Sequence, residues 1–124
     1  MSSYNYLASP YTKKGDPENM LVSEQRYVQI CWVTAELMKR GEMIFCPIAH
    51  GHFIRYMGNL SGEFKFWMEQ DKCMIRNAEE LWVCTMDGWI ESTGVTYEIA
   101  YAKGLGKRVR FVDPETLIVT GTFG

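Results

Sequence analysis

The chain has 124 residues, 47% hydrophobic and 23% charged, with a formal net charge of −2. That size predicts one domain over residues 1–124 with one core, and the balance excludes a disordered chain. The 13 Lys and Arg residues are spread out, no apolar run is long enough to span a membrane, and "MSSYNYLASPY" lacks a signal-peptide pattern, so neither long nucleic acid nor a membrane is an expected partner and a cytoplasmic location is.

Residues 4–8 are a short apolar run that stops at the turn-rich "SPYTKKGDPEN", which predicts a first strand and a loop. Over residues 18–40, Tyr27, Ile30, Cys31, Thr34, Leu37 and Met38 recur at helical spacing, and Gly41 stands where a helix ends. "MIFCP", 43–47, predicts a second strand closed by its proline. "HGHFIRYMGNLSG", 50–62, has no clean period and suits a binding loop or a short irregular helix.

A helix is expected over 63–78, with Trp67, Met74, Ile75 and Ala78 on one stripe. Asp71 falls on that stripe and is its charged exception. "LWVCTM", 81–86, is a strand-type run, followed by a loop over 87–94 and a helix over 95–105. "RVRFV" is then a fourth strand and "LIVTGTF", 117–123, a candidate fifth.

Strands alternating with helices imply an α/β fold whose parallel sheet is covered on both faces. For this length the expected form is a flavodoxin-like (Rossmann-like) three-layer sandwich of four to five strands in the order 2-1-3-4-5. Ligands in such sheets sit beyond the carboxyl ends of the strands where the order reverses, here between the first and third strands. That rule brings "ASPYT" and "DGWIESTG" together.

The four cysteines show no CxxC pairing and lie in apolar stretches, as reduced thiols used as small hydrophobes do. His50 and His52 of "HGH" have metal-friendly spacing but no third ligand nearby, so they read as part of a turn or pocket rim. No metal and no cofactor are expected.

In "DGWIESTGVTYEIAYA", 87–102, Glu98 stands among apolar residues soon after a glycine-bearing turn, on a face with Ala102 and Leu105. The N–H groups near Ser92, Thr93 and Gly94 open a helix whose dipole favours anions, which predicts a loop able to hold a phosphate and keep Glu98 ionised. An ionised carboxylate aimed into a crevice can attack an electrophilic carbon. Asp71 offers a second carboxylate, and two in different environments can divide into nucleophile and acid or base. The competing reading makes Glu98 a solvated helix residue and Asp71 an exposed one.

The segment "MEQDKCMIRNAEELWVCTMDGWIESTGVTYEIAYAKGLGKRVRFV", with "YLASPYT" upstream, resembles the nucleoside 2-deoxyribosyltransferase family and its relatives, the 2′-deoxynucleoside 5′-monophosphate N-glycosidases. The resemblance runs over residues 4–112, through an S-x-G-V-x-x-E-x-x-x-A core and an upstream E-x-D, and is nearest to short phage and bacterial domains. It implies that Glu98 is a nucleophile that holds the sugar covalently, and that Asp71 hydrogen-bonds or protonates the departing base. Family transferases carry an acid at the position of Ser92 and the monophosphate hydrolases a serine, so Ser92 implies a nucleoside 5′-monophosphate.

Two further features separate the hydrolase and transferase patterns. The first loop of the hydrolases resembles G-S-I-R-G, whose arginine helps bind phosphate, and here Tyr11 stands in that place within a transferase-like "SPY". The chain also ends soon after the fourth strand, where transferases use a longer segment to complete a neighbour's site, which favours hydrolysis over base exchange. The implied substrate-binding set is Tyr6, Ala8, Ser9, Pro10, Tyr11, His50, Asp87, Trp89, Ser92 and Gly94, in a homodimer or larger homo-oligomer.

Trp67 and Trp82 read as core residues rather than base-stacking ones, while Trp89 could flank a nucleobase or an oligomer interface. Tyr6 and Tyr11 either line the pocket or pack at the strand end. The leading expectation is N-glycosidic bond cleavage on a small nucleoside or nucleotide. Base transfer, cleavage of an NAD-type dinucleotide and a non-catalytic nucleotide-binding module are the alternatives. The last is separated from the others by whether Glu98 and Asp71 reach one cavity.

Overall fold

The computed structural model describes residues 3–121. The chain runs β1 (Asn5–Ala8), α1 (Met20–Lys39), β2 (Ile44–Phe45), α2 (Pro47–Gly58), α3 (Phe64–Asn77), β3 (Leu81–Cys84), α4 (Thr93–Gly104), β4 (Val109–Val112) and β5 (Val119–Thr120). The sheet order is β2-β1-β3-β4-β5, with β5 antiparallel to β4 and the other pairings parallel. The fold is therefore the expected flavodoxin-like three-layer α/β sandwich. Residues 122 and 123 of the candidate fifth strand lie outside the described residues.

Strand alternation builds the layers. Leu7, Trp82 and Cys84 face one side with Ile30, Val33 and Leu37 of α1. Tyr6, Ala8, Leu81 and Val83 face the other, where Ile75 of α3 and Val95 and Ala102 of α4 meet them. Adjacent residues of β1 and β3 thus serve opposite faces, as a period of two requires. Trp82 is core, as expected, at 5% exposure.

Residues 43–62 depart from the sequence reading. Pro47 does not close a long second strand; it opens α2, where the missing N–H costs no intrahelical bond. The stretch from His50 is regular helix up to Gly58, ended by Asn59 in the left-handed conformation at φ 50. Its period was hidden because the polarity is inverted. α2 buries Gly51, His52 and Arg55 while Phe53, Ile54, Tyr56 and Met57 are exposed.

Smaller differences lie at helix ends and on the surface. Ser92 caps α4 by accepting from the Val95 N–H at 3.2 Å, so the helix starts at Thr93 rather than Val95. Cys73 is exposed rather than buried. Met38 and Leu105, placed on inward faces by their spacing, are about half exposed because each sits at the end of its helix. Among the described residues no helix is long and apolar enough to cross a membrane.

Candidate functional site

The segment after β1 and the start of α4 share a cavity of ≈ 430 Å³, within the range of small-molecule sites. Ser9, Tyr11, Thr12, Lys13 and Lys14 line it from the β1 side, and Ser92, Thr93, Gly94, Tyr97 and Glu98 from the β3 side. His52 of α2 and Trp67 and Asp71 of α3 complete the wall. The cavity therefore opens at the carboxyl ends of β1 and β3, where the strand order reverses.

Glu98 belongs to the buried stripe of α4 with Val95 and Ala102, spaced so that all three face the sheet. That stripe carries its one carboxylate over β1, where the Tyr6 hydroxyl donates to Glu98 Oε2. Glu98 is only 4% exposed. Asp71 comes from the matching stripe of α3, with Ile75, and is 8% exposed. Both carboxyl groups, from two different helices, reach one cavity.

The approach of these helices depends on Gly94. A Cβ there would meet Phe64 Cδ1 of α3 at 3.2 Å, closer than an ordinary contact. With its first N–H groups lacking intrahelical partners, α4 presents Thr93 and Gly94 to the cavity. The Ser92 hydroxyl oxygen accepts in the cap, and among the described residues none takes its proton, which leaves it able to donate to a ligand.

Burial first, and the negative charge of Asp71 second, push the Glu98 carboxyl up to about 8, with the Tyr6 hydrogen bond pulling the other way. Burial pushes Asp71 up to about 7. Tyr6 is raised well above its usual value by burial and then by the two carboxylates, so it stays a donor. The expectation that the α4 terminus keeps Glu98 ionised is corrected here. A helix dipole fades beyond the first turn, and desolvation outweighs both it and Tyr6.

Of the other expected site residues, Ser9, Tyr11, Ser92 and Gly94 stand on the wall. Tyr6 lies beneath it as the partner of Glu98. Ala8 and Pro10 are buried and off the wall, Ala8 because it is a strand residue turned into the α3 and α4 layer. His50 is exposed beside Phe45, with rings 5.6 Å apart, because residues two apart on a helix face different ways and the cavity takes His52. Asp87 is exposed and Trp89 packs on Phe111 at 5.7 Å, so neither lines the cavity.

Sequence reasoning missed Phe64, Tyr97 and the two lysines, read His52 together with His50 as part of a turn or pocket rim, and placed Trp67 in the core. Trp67 is half-buried, donates from Nε1 to Ser61 O at 2.8 Å and shares the α3 stripe of Asp71, so its position was visible although its role was not. His52 is 4% exposed and stacks on Tyr27 at 4.1 Å. Its Nε2 lies 2.7 Å from Glu24 Oε2 and its Nδ1 2.6 Å from the Tyr11 hydroxyl. Glu24 can only accept, so Nε2 donates to it, and the Tyr11 hydroxyl oxygen also accepts from Arg55 Nη1 at 3.1 Å. Among the described residues no three His, Cys, Asp or Glu side chains are grouped as a metal ion would need.

A family model matches residues 3–113. The chain belongs to DUF1937, a domain of unknown function. No curated protein matches it.

Proposed function

We propose that the protein breaks the N-glycosidic bond of a small nucleoside or nucleotide, with a nucleoside 5′-monophosphate as the preferred substrate and Glu98 as the nucleophile. The observation that carries this reading is the meeting of two buried carboxyl groups, Glu98 and Asp71, at one cavity, with Tyr6 on Glu98 alone. A nucleotide-binding module has no need of two desolvated carboxyls, which are costly unless they do chemistry. The resemblance to deoxyribosyltransferases and monophosphate N-glycosidases supports the same residues in the same roles.

The reacting form has Glu98 ionised and the proton on Asp71. Burial and the Asp71 charge make this the less populated of the two one-proton forms, with Glu98 raised to about 8 and Asp71 to about 7, and Tyr6 narrows the gap because its hydroxyl stabilises negative charge on Glu98, while none of the described residues donates to Asp71. A Glu98 oxygen attacks C1′ as the bond from C1′ to the base nitrogen breaks. The electron pair leaves on that nitrogen, which takes the Asp71 proton. Water then attacks C1′, the bond to Glu98 breaks, and Asp71 recovers a proton from the water. Trp67 and Tyr97 provide flat apolar surface for a base, and the α4 terminus with Ser92 provides donors for a phosphate.

The test is incubation with a panel of nucleosides and 5′-monophosphates, with free base followed by chromatography, for the unaltered protein and for Glu98→Gln. Base release is expected from monophosphates first, and Glu98→Gln should lower it by about three powers of ten or more while the fold persists. Undiminished turnover in Glu98→Gln would remove the nucleophile assignment, and no base release from any member of the panel would remove the reading.

A further inference from the structure

The segment between β1 and α1 is tied down on both sides of a short exposed stretch. At its start, the Tyr11 hydroxyl is held by His52 Nδ1 and Arg55 Nη1, and Arg26 Nη1 donates to Thr12 O at 2.8 Å. At its end, Arg55 Nη2 donates to Pro17 O and to Glu18 Oε2, both at 3.2 Å, and the Gly62 N–H donates to Glu18 Oε1 at 3.1 Å. His52 and Arg55 are one turn apart on the inner face of α2, so one helix face fixes both ends. Lys13, Lys14 and Gly15 project between them, turned by the Asp16 N–H bond to Lys13 O at 2.9 Å.

Both lysines are exposed and both line the cavity. Among the described residues neither enters an ion pair, although Lys39, Lys72, Arg55, Arg108 and Arg110 do. Arg55 is not available to a ligand in their stead, since it is 2% exposed and spent on Tyr11, Pro17 and Glu18. The other charged rim residues are Glu63 and Lys65, and Lys65 of α3 also enters no ion pair among the described residues, which makes it the comparison cation. Ser9, on the same wall, is 3% exposed, and its buried hydroxyl has no hydrogen-bond partner among the described residues. A wall that carries two unpaired cations and a residue with an orphan hydroxyl suits an anionic ligand.

We propose that Lys13 and Lys14, held by the clamp from His52 and Arg55, are the cationic half of a phosphomonoester site whose neutral donors are Ser9 and Ser92. The site supplies the charge that the tyrosine at position 11 does not. It rests on the reading that the cavity takes a nucleoside 5′-monophosphate.

Binding and chemistry are measured separately. The dissociation constants of the four common 2′-deoxynucleoside 5′-monophosphates and of the matching free nucleosides are taken by calorimetry on Glu98→Gln, which prevents turnover, with and without Lys13→Ala/Lys14→Ala. The double change should weaken the monophosphates about tenfold or more and the nucleosides hardly at all. Lys13→Arg/Lys14→Arg should restore most of the loss, added salt should weaken only the monophosphates, and Lys65→Ala should leave the ratio unchanged. Monophosphates bound no more tightly than nucleosides, a preference that survives the double alanine change, or an equal loss from Lys65→Ala would each overturn the assignment. Failure of the unaltered protein to release base would instead sink the glycosidase reading and leave a lysine-dependent binding preference standing.

Discussion

The protonation of Glu98 is set first by burial and then by two neighbours, Asp71 and Tyr6, each of which can be changed alone. Tyr6→Phe removes the hydroxyl that favours the ionised carboxylate while keeping the ring that packs beside Phe45 at 6.0 Å. Because that hydrogen bond pulls the Glu98 carboxyl down against burial, its loss should move the acid limb of the kcat/KM profile to higher pH and lower the rate at neutral pH by about tenfold or more. A profile that keeps its acid limb in place would show that Tyr6 only packs. Ser92 permits a second clean exchange. Aspartate caps helices as well as serine does, so Ser92→Asp should keep the Val95 N–H bond and α4 intact. Its carboxylate repels a phosphate and accepts from a 5′-hydroxyl, so the preference should turn from monophosphate to nucleoside in competition assays.

At the scale of elements, what was legible in the sequence depended on whether burial followed hydrophobicity. β1, β3, α1 and α4 could be placed because their buried positions are mostly apolar, and the switch-point rule then put Ser9, Tyr11 and Ser92 beside Glu98. α2 could not, because it buries a histidine and an arginine and exposes Phe53, Tyr56 and Met57. The clamp on the segment after β1 was lost with it, since nothing in periodicity pairs Arg55 with Pro17 or Glu18. Pocket residues named for proximity in sequence, such as Asp87 and Trp89, failed because the turn after β3 carries them off the wall. The clamp also makes a prediction for Gly62. A Cβ there would stand 2.3 Å from Arg55 Nη2 and 2.6 Å from Pro17 O, where the backbone cannot yield cheaply. Gly62→Ala should therefore destabilise the protein by about 1–3 kcal/mol in denaturant unfolding and weaken monophosphate binding more than nucleoside binding. An unchanged midpoint would show that Arg55 is freer than its contacts imply.

For the whole molecule, the two carboxyls couple the site to stability. Glu98 rises from 4.5 to about 8 and Asp71 from 3.8 to about 7 on folding. The folded chain therefore binds more protons than the unfolded chain across that window, so the free energy of unfolding falls as pH rises through it. The contribution is whole below about pH 4 and is lost by about pH 8, the reverse of the usual pattern for carboxylates in ion pairs. Glu98→Gln and Asp71→Asn replace each acid with a neutral group of nearly the same shape, which removes the need to bury charge at high pH. Each variant should match the unaltered protein near pH 4 and then gain on it steadily, melting several degrees higher by pH 8 to 9. The double variant should gain less than the sum, because the charge of Asp71 is itself one cause of the Glu98 shift. Melting curves for all four proteins, taken from pH 4 to 9, read this directly. Parallel curves would mean that neither carboxyl is desolvated in solution, and the proposed glycosidase chemistry would lose the buried pair on which it rests.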